Sequence, residues 1–193
     1  KKKILMVCEA FGGGVFTYVS QLCNDMVDDF EVYLAYSLRP QTPKNYEEFL
    51  DSKVHMIEMK YVGVKGLFSI KNDIAAIKEL QAIETKVKPD IIHLHSSVAG
   101  GLGRLAYNGK NNTVLYTPHG YAHILMGPGK KSFVYKTAEK LLGNRALTLT
   151  CCESEDEEAK KFSKRTAYVE TGVNLPDLSA SLDGIEPNEN VKF

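Results

Sequence analysis

The chain has 193 residues, 44% hydrophobic and 25% charged, with 24 Lys plus Arg balanced by 24 Asp plus Glu. This composition excludes disordered and collagen-like chains, and the length suits one large domain that hides roughly 70% of its unfolded surface. Without excess positive charge to neutralise a phosphate backbone, no nucleic-acid partner is expected.

The opening KKKILMVC runs from basic to apolar residues, but Glu9 ends the apolar run too early for a signal peptide, so it reads as a strand. Val15, Val19, Leu22 and Met26 then step by four, three and four, the spacing of a helix with one apolar stripe. EVYLAY (31–36) and KVHMIEM (53–59) are the next strand candidates, and segment 40–52 between them has no readable pattern. Ile70, Ile74 and Ile77 predict a second amphipathic helix, with Ser69 as N-cap and Pro89 as its stop. DIIHLH (90–95) leads into a glycine-rich helix, VAGGLGRLA (98–106), and then into TVLYT (113–117). A further helix over 132–142 is closed by Gly143, before ALTLTC (146–151) and TAYVE (166–170).

The strands are short, apolar and β-branched, as in sheets covered on both faces, and alternation with helices requires right-handed parallel crossovers. The expected fold class is therefore α/β, a Rossmann-like doubly wound sheet of about seven parallel strands over residues 1–172. From Glu170 onward the composition is that of a linker. Residues 173–193 are read as an interdomain linker whose last residues, 191–193, open a second domain. No run approaches the roughly 18 apolar residues of a membrane span. Four cysteines, with Cys151 and Cys152 adjacent, do not make a disulfide framework and imply a reducing, cytoplasmic setting.

In an open parallel sheet, ligands bind beyond the carboxyl ends of the strands. The unusual residues of this chain fall there. Gly12, Gly13 and Gly14 follow the first strand and remove Cβ atoms where helix-end N–H groups could face a diphosphate, a reading favoured over a plain tight turn. The spacing is neither G-x-G-x-x-G nor a Walker A loop. Glu9 is a cleft candidate beside them. His95, Ser96 and Ser97 close the fourth strand; one of the serines is explained as a helix cap, and Gly100, Gly101 and Gly103 suggest close approach of backbone to the sheet or to a ligand. His93 is read as a core histidine, and no partner spacing supports a metal site. His119, between Pro118 and Gly120, is the strongest candidate for a catalytic group, with an ordinary imidazole pKa that leaves both proton states available near neutrality. Glu153 follows the sixth strand. ILMGPGKK (124–131) raises a peripheral membrane contact, against which a solvated loop is favoured because only three apolar residues adjoin.

The order GGG-VFTYV, KPDIIHLHSSVAG, VLYTPHGY, LTCCESE and VETGVN resembles the N-terminal half of the retaining glycosyltransferases of family 4, with the GT-B fold, over about residues 2–175. The resemblance implies an acceptor-side domain whose glycine-loop amides approach the diphosphate of a nucleotide-sugar donor, with His119 beside the donor sugar. It also implies a glycan or lipid-linked sugar as acceptor, a role in capsular or exopolysaccharide assembly at the inner face of the membrane, and no cofactor or metal, the nucleotide-sugar being a substrate. The family's paired donor-site glutamates belong to a second domain, so this chain alone is expected to bind nucleotide-sugars weakly and transfer nothing. Thr171-Gly172 stands where asparagine-glycine is more usual. Two alternatives remain at this point: a sugar-nucleotide epimerase of similar fold, and a non-catalytic sugar-binding module.

Overall fold

The computed structural model describes residues 1–62, 69–107, 112–170 and 172, so the expected linker at 173–193 lies outside the described residues. Seven strands form one sheet in the order β3-β2-β1-β4-β5-β6-β7. They are β1 (Lys2–Phe11), β2 (Phe30–Leu38), β3 (His55–Glu58), β4 (Ile91–His95), β5 (Thr113–Thr117), β6 (Leu147–Thr150) and β7 (Thr166–Tyr168), and every neighbouring pair is parallel. The winding reverses between β1 and β4, which places a topological switch point at their carboxyl ends.

Alternation along β1 divides the core into two. Leu5 and Val7 face one side with Ile92, Leu94 and helices α2 (Ile70–Val87) and α3 (Ser97–Ala106), while Ile4, Met6 and Cys8 face the other with α1 (Gly13–Met26). Burial on both faces explains why these strands read as continuous apolar runs.

The α2 stripe is a correction. Ile70 is 77% exposed and Ile74 50%; of the expected stripe only Ile77 packs, partly buried, against the core, and the buried residues are Ala76, Leu80, Ile83 and Val87. Both spacings are helical, and tertiary contacts choose between them: Tyr107 Oη donates to the Leu80 carbonyl at 3.1 Å and fixes the second stripe against the end of α3. Ser69 occupies the N-cap position without a side-chain hydrogen bond. At the other end Lys88 turns left-handed (φ 53°) and its N–H bonds the Glu84 carbonyl, since the residue before Pro89 is disfavoured in the helical region.

Two further helices are α4 (Ala122–Leu125) and α5 (Lys130–Leu142). Gly143 at the end of α5 is not a left-handed stop: its φ is −53°, and a Cβ there would lie 2.2 Å from the Phe162 carbonyl oxygen, so close backbone approach demands the glycine. Gly100 answers to packing in the same way, because an added Cβ would meet the buried Tyr116 ring at 2.2 Å. The last helix among the described residues, α6 (Glu153–Ala159), precedes β7. Among the described residues no helix is long and apolar enough to cross a membrane.

Candidate functional site

With every strand parallel, the segments after β1, β4, β5 and β6 emerge along one edge. The glycine loop follows a bulged end of β1. Gly12 is extended and carries the Gln41 side chain 3.1 Å from where its Cβ would be; Gly13 is left-handed at φ 56°. No side chain caps α1, so its first N–H groups keep the capacity and the dipole to meet an anion. Segment 40–52, unreadable in sequence, packs here: Thr42 Oγ1 donates to the Phe11 carbonyl, and a 3-10 turn spans Tyr46–Phe49.

The N-terminus of α3 is different, because a carboxylate already fills it. Glu9 is 2% exposed, and its Oε2 accepts from Ser96 Oγ and from the Ala99 N–H at 3.2 Å. Arg39 adds an Nε–H bond to the Glu9 carbonyl at 2.8 Å, with its Nη2 3.8 Å from Oε1. Burial pushes the Glu9 carboxyl up, opposed by Ser96, Arg39 and Ala99. Of the two helix ends at the switch point, only that of α1 is therefore open to a diphosphate.

Three imidazoles stack along this edge. The His93 and His95 ring centroids are 4.0 Å apart, and those of His95 and His119 5.3 Å apart with the planes inclined by 24°. His93 Nε2 meets Thr117 Oγ1 at 2.8 Å, and His95 Nδ1 meets His119 Nε2 at 3.0 Å. His95 Nε2 is buried without a partner. A bare ring nitrogen is cheaper to bury than an N–H without an acceptor, so we assign the His95 proton to Nδ1, donated to His119 Nε2. His119 then carries its own proton on Nδ1. Burial lowers His119 to about 4 and His93 to about 3, and holds His95 well below the ordinary value. The expectation of an imidazole titrating near neutrality is thereby corrected: His119 is a neutral hydrogen-bond donor at pH 7.

The backbone that presents His119 is left-handed at φ 54°, followed by Gly120 at φ 89°. Glu155, buried in α6, clamps this turn by accepting from the Gly120 N–H at 2.7 Å and the Cys151 N–H at 3.0 Å. Tyr18 of α1 packs edge-on to His119 at 4.8 Å between centroids. Glu9, Val15, Ser96, Ser97, His119 and Gly120 line one open cleft of about 230 Å³, below the roughly 300–1,000 Å³ of pockets that enclose a whole ligand.

Of the residues proposed from sequence, Glu9, Ser96, Ser97 and His119 meet in this cleft, and Gly12, Gly13 and Gly14 begin the helix that supplies Val15 to it. Ser96 sits at the N-cap position of α3 but makes no cap bond, and Ser97 Oγ accepts from the Ala122 N–H at 3.1 Å. His95 is sealed beneath His119, and Gly100 faces Tyr116, so neither has a surface to offer a ligand directly. Glu153 lies exposed in the first turn of α6, and the inward carboxylate two residues on, Glu155, holds the turn instead. Arg39, Tyr18 and Glu155 escaped sequence reading because their roles depend on Glu9, His119 and Gly120, which lie 30, 101 and 35 residues away; only the position of Arg39 just past a strand end hinted at it.

The buried imidazoles predict a pH dependence of stability. Between about pH 6.5 and 4 the unfolded chain protonates these histidines and the folded chain does not, so stability falls with pH by at most about 1.4 kcal/mol per pH unit for each. Glu9, raised in the folded state by burial, acts oppositely above its ordinary value and offsets part of this fall. Urea unfolding midpoints should decline steadily from pH 6.5 to 4.5, and a flat profile would contradict the buried neutral stack.

A family model described as Glycosyltransferase Family 4 matches residues 12–176. The chain belongs to glycosyltransferase family 4. An uncharacterised 41.2 kDa protein in the cps region of Klebsiella pneumoniae is 25% identical, over 98% of this chain and 50% of that protein. The UDP-Gal:alpha-D-GlcNAc-diphosphoundecaprenol alpha-1,3-galactosyltransferase of Escherichia coli is 33% identical, over 47% of this chain and 24% of that enzyme. This family 4 chain thus spans half the length of the first relative. Sucrose-phosphate synthase from Thermosynechococcus elongatus shares the fold with a TM-score of 0.68, at 15% identity over 90% of this chain and 49% of that one. A UDP-N-acetylglucosamine 2-epimerase structure from Listeria monocytogenes does so with a TM-score of 0.62, at 13% identity over 86% and 44%. At such identities these structures bear on fold alone, a Rossmann-like α/β domain of the GT-B type.

Proposed function

We propose that this family 4 domain is the acceptor side of a transferase that moves a sugar, with retention, from a nucleotide-sugar to a glycan or lipid-linked acceptor. The observation that carries the reading is the cleft at the β1/β4 switch point, where an uncapped helix start and a neutral, proton-donating His119 share one edge. The α1 N–H groups would meet the donor diphosphate, stabilising it as charge develops on departure. His119 Nδ1–H would donate to the donor sugar. Glu9 would act from beneath, holding Ser96 and the start of α3 through the bonds it accepts. The small, open cleft suits half of a site whose other wall is supplied by a facing domain. The diphosphate-lipid acceptor in the name of the Escherichia coli relative supports a lipid-linked acceptor here.

Calorimetric titration of the 193-residue chain with UDP-, GDP- and ADP-sugars tests the arrangement. Binding should be no tighter than the millimolar range, with no transfer to added acceptor lipid. Micromolar binding would place the donor site in this domain and overturn the acceptor-side assignment.

A further inference from the structure

The surface next to the cleft carries an unusual combination. Ile124, Leu125 and Met126 at the end of α4 are exposed, Leu125 by 74%, and α5 presents Phe133 (71%), Val134 and Leu141 (74%) to solvent. Lys130, Lys131, Lys136 and Lys140 are exposed on the same helix. Its one carboxylate, Glu139, is 4% exposed and paired internally with Arg104 at 2.9 Å, so the outer face is purely cationic. Tyr135, Glu139 and Leu142 fix the inner face by i, i+4, i+7 spacing, which turns Phe133 and Lys140 outward. Ser132 Oγ donates to the His123 carbonyl at 2.7 Å and ties the start of α5 to α4.

We infer that this α4–α5 face docks on an anionic bilayer and brings the cleft to the membrane surface. The inference rests on, and extends, the proposed lipid-linked acceptor. Apolar side chains flanked by lysines match the headgroup boundary, where aromatic and aliphatic groups enter the acyl region and ammonium groups meet lipid phosphates. A second copy of this chain is a poor occupant, because an isologous contact would set eight lysines against one another. Leu125, Met126 and Tyr135 also line the cleft with His119, so the docking face runs into the proposed site. A diphosphate-linked acceptor anchored in the bilayer could then enter laterally without leaving its lipid. The sequence segment 124–131 is thus only one margin of the surface, and α5 supplies most of it.

Co-sedimentation of the 193-residue chain with phosphatidylcholine vesicles, with and without 30% phosphatidylglycerol, tests the docking. Each lysine near the surface contributes about five-fold in partitioning, so Lys130→Glu with Lys131→Glu should lower binding to anionic vesicles by at least about 30-fold. Phe133→Ser with Leu141→Ser should lower it by at least about 10-fold. All four positions are exposed, so thermal melts of the variants should match the parent and separate docking from folding. Absence of binding, equal binding to neutral vesicles, or loss confined to the lysine variants would overturn bilayer docking. So would a dimer in solution abolished by Phe133→Ser. Transfer to a soluble short-chain acceptor by an active enzyme containing this domain would be untouched by such failure, which keeps the two readings separable.

Discussion

In an active enzyme containing this domain, His119→Ala is expected to lower kcat by about 100-fold or more, equivalent to roughly 3 kcal/mol of lost stabilisation of developing charge. The geometry adds a second effect that the sequence did not suggest. His119 Nε2 accepts the buried His95 proton, so alanine strands that donor and costs about 1–3 kcal/mol of stability. Two conservative variants separate the roles. Glutamine places a polar group where Nε2 stood and should restore the melting temperature but not turnover. Asparagine places its amide where Nδ1 stood and tolerates the left-handed backbone; it should recover part of kcat while remaining less stable. Turnover restored by glutamine would show that His119 serves only to satisfy His95.

The largest stability loss should come from the buried Arg104–Glu139 pair. Arg104 is 1% exposed, its Nη1 is 2.9 Å from Glu139 Oε2, and its guanidinium lies over the Tyr116 ring at 4.2 Å. Its Nε–H bonds the Gly100 carbonyl at 2.8 Å, and Tyr116 Oη donates to Glu139 Oε1 at 2.9 Å. Nη1 faces Glu139 at ion-pair distance, and Nη2 has no acceptor of its own. Removing either partner strands a buried charge, so Arg104→Ala and Glu139→Ala should each cost about 3–5 kcal/mol in urea unfolding. Arg104→Met with Glu139→Leu removes both charges and should recover most of that loss. If each single variant unfolds like the parent, the pair contributes nothing to holding α3 and α5 together.

These groups show why the site was only partly legible. Glu9, Ser96, Ser97 and His119 could be found because each directly follows a strand, and parallel strands send their carboxyl ends to one edge. Their roles could not be found that way. Glu9 reads as a cleft acid, yet it lies beneath Ser96 as a built-in anion for α3, a relation spanning 87 residues. His119 reads as a titrating imidazole, yet desolvation, in a site where it lies against His95, keeps it neutral.

The sequence by itself determined the seven strands, the helices α1, α2, α3 and α5, the parallel doubly wound sheet and the edge where the candidate residues collect, but not the short α4 and α6, because apolar periodicity and strand–helix alternation are local signals with few topological solutions. Only the tertiary structure decided which stripe of α2 is buried, that Glu155 rather than Glu153 faces the His119 turn, and that α5 keeps a cationic, apolar face outward. Each of those depends on which surfaces meet across the fold, and the helical period alone is satisfied by more than one choice.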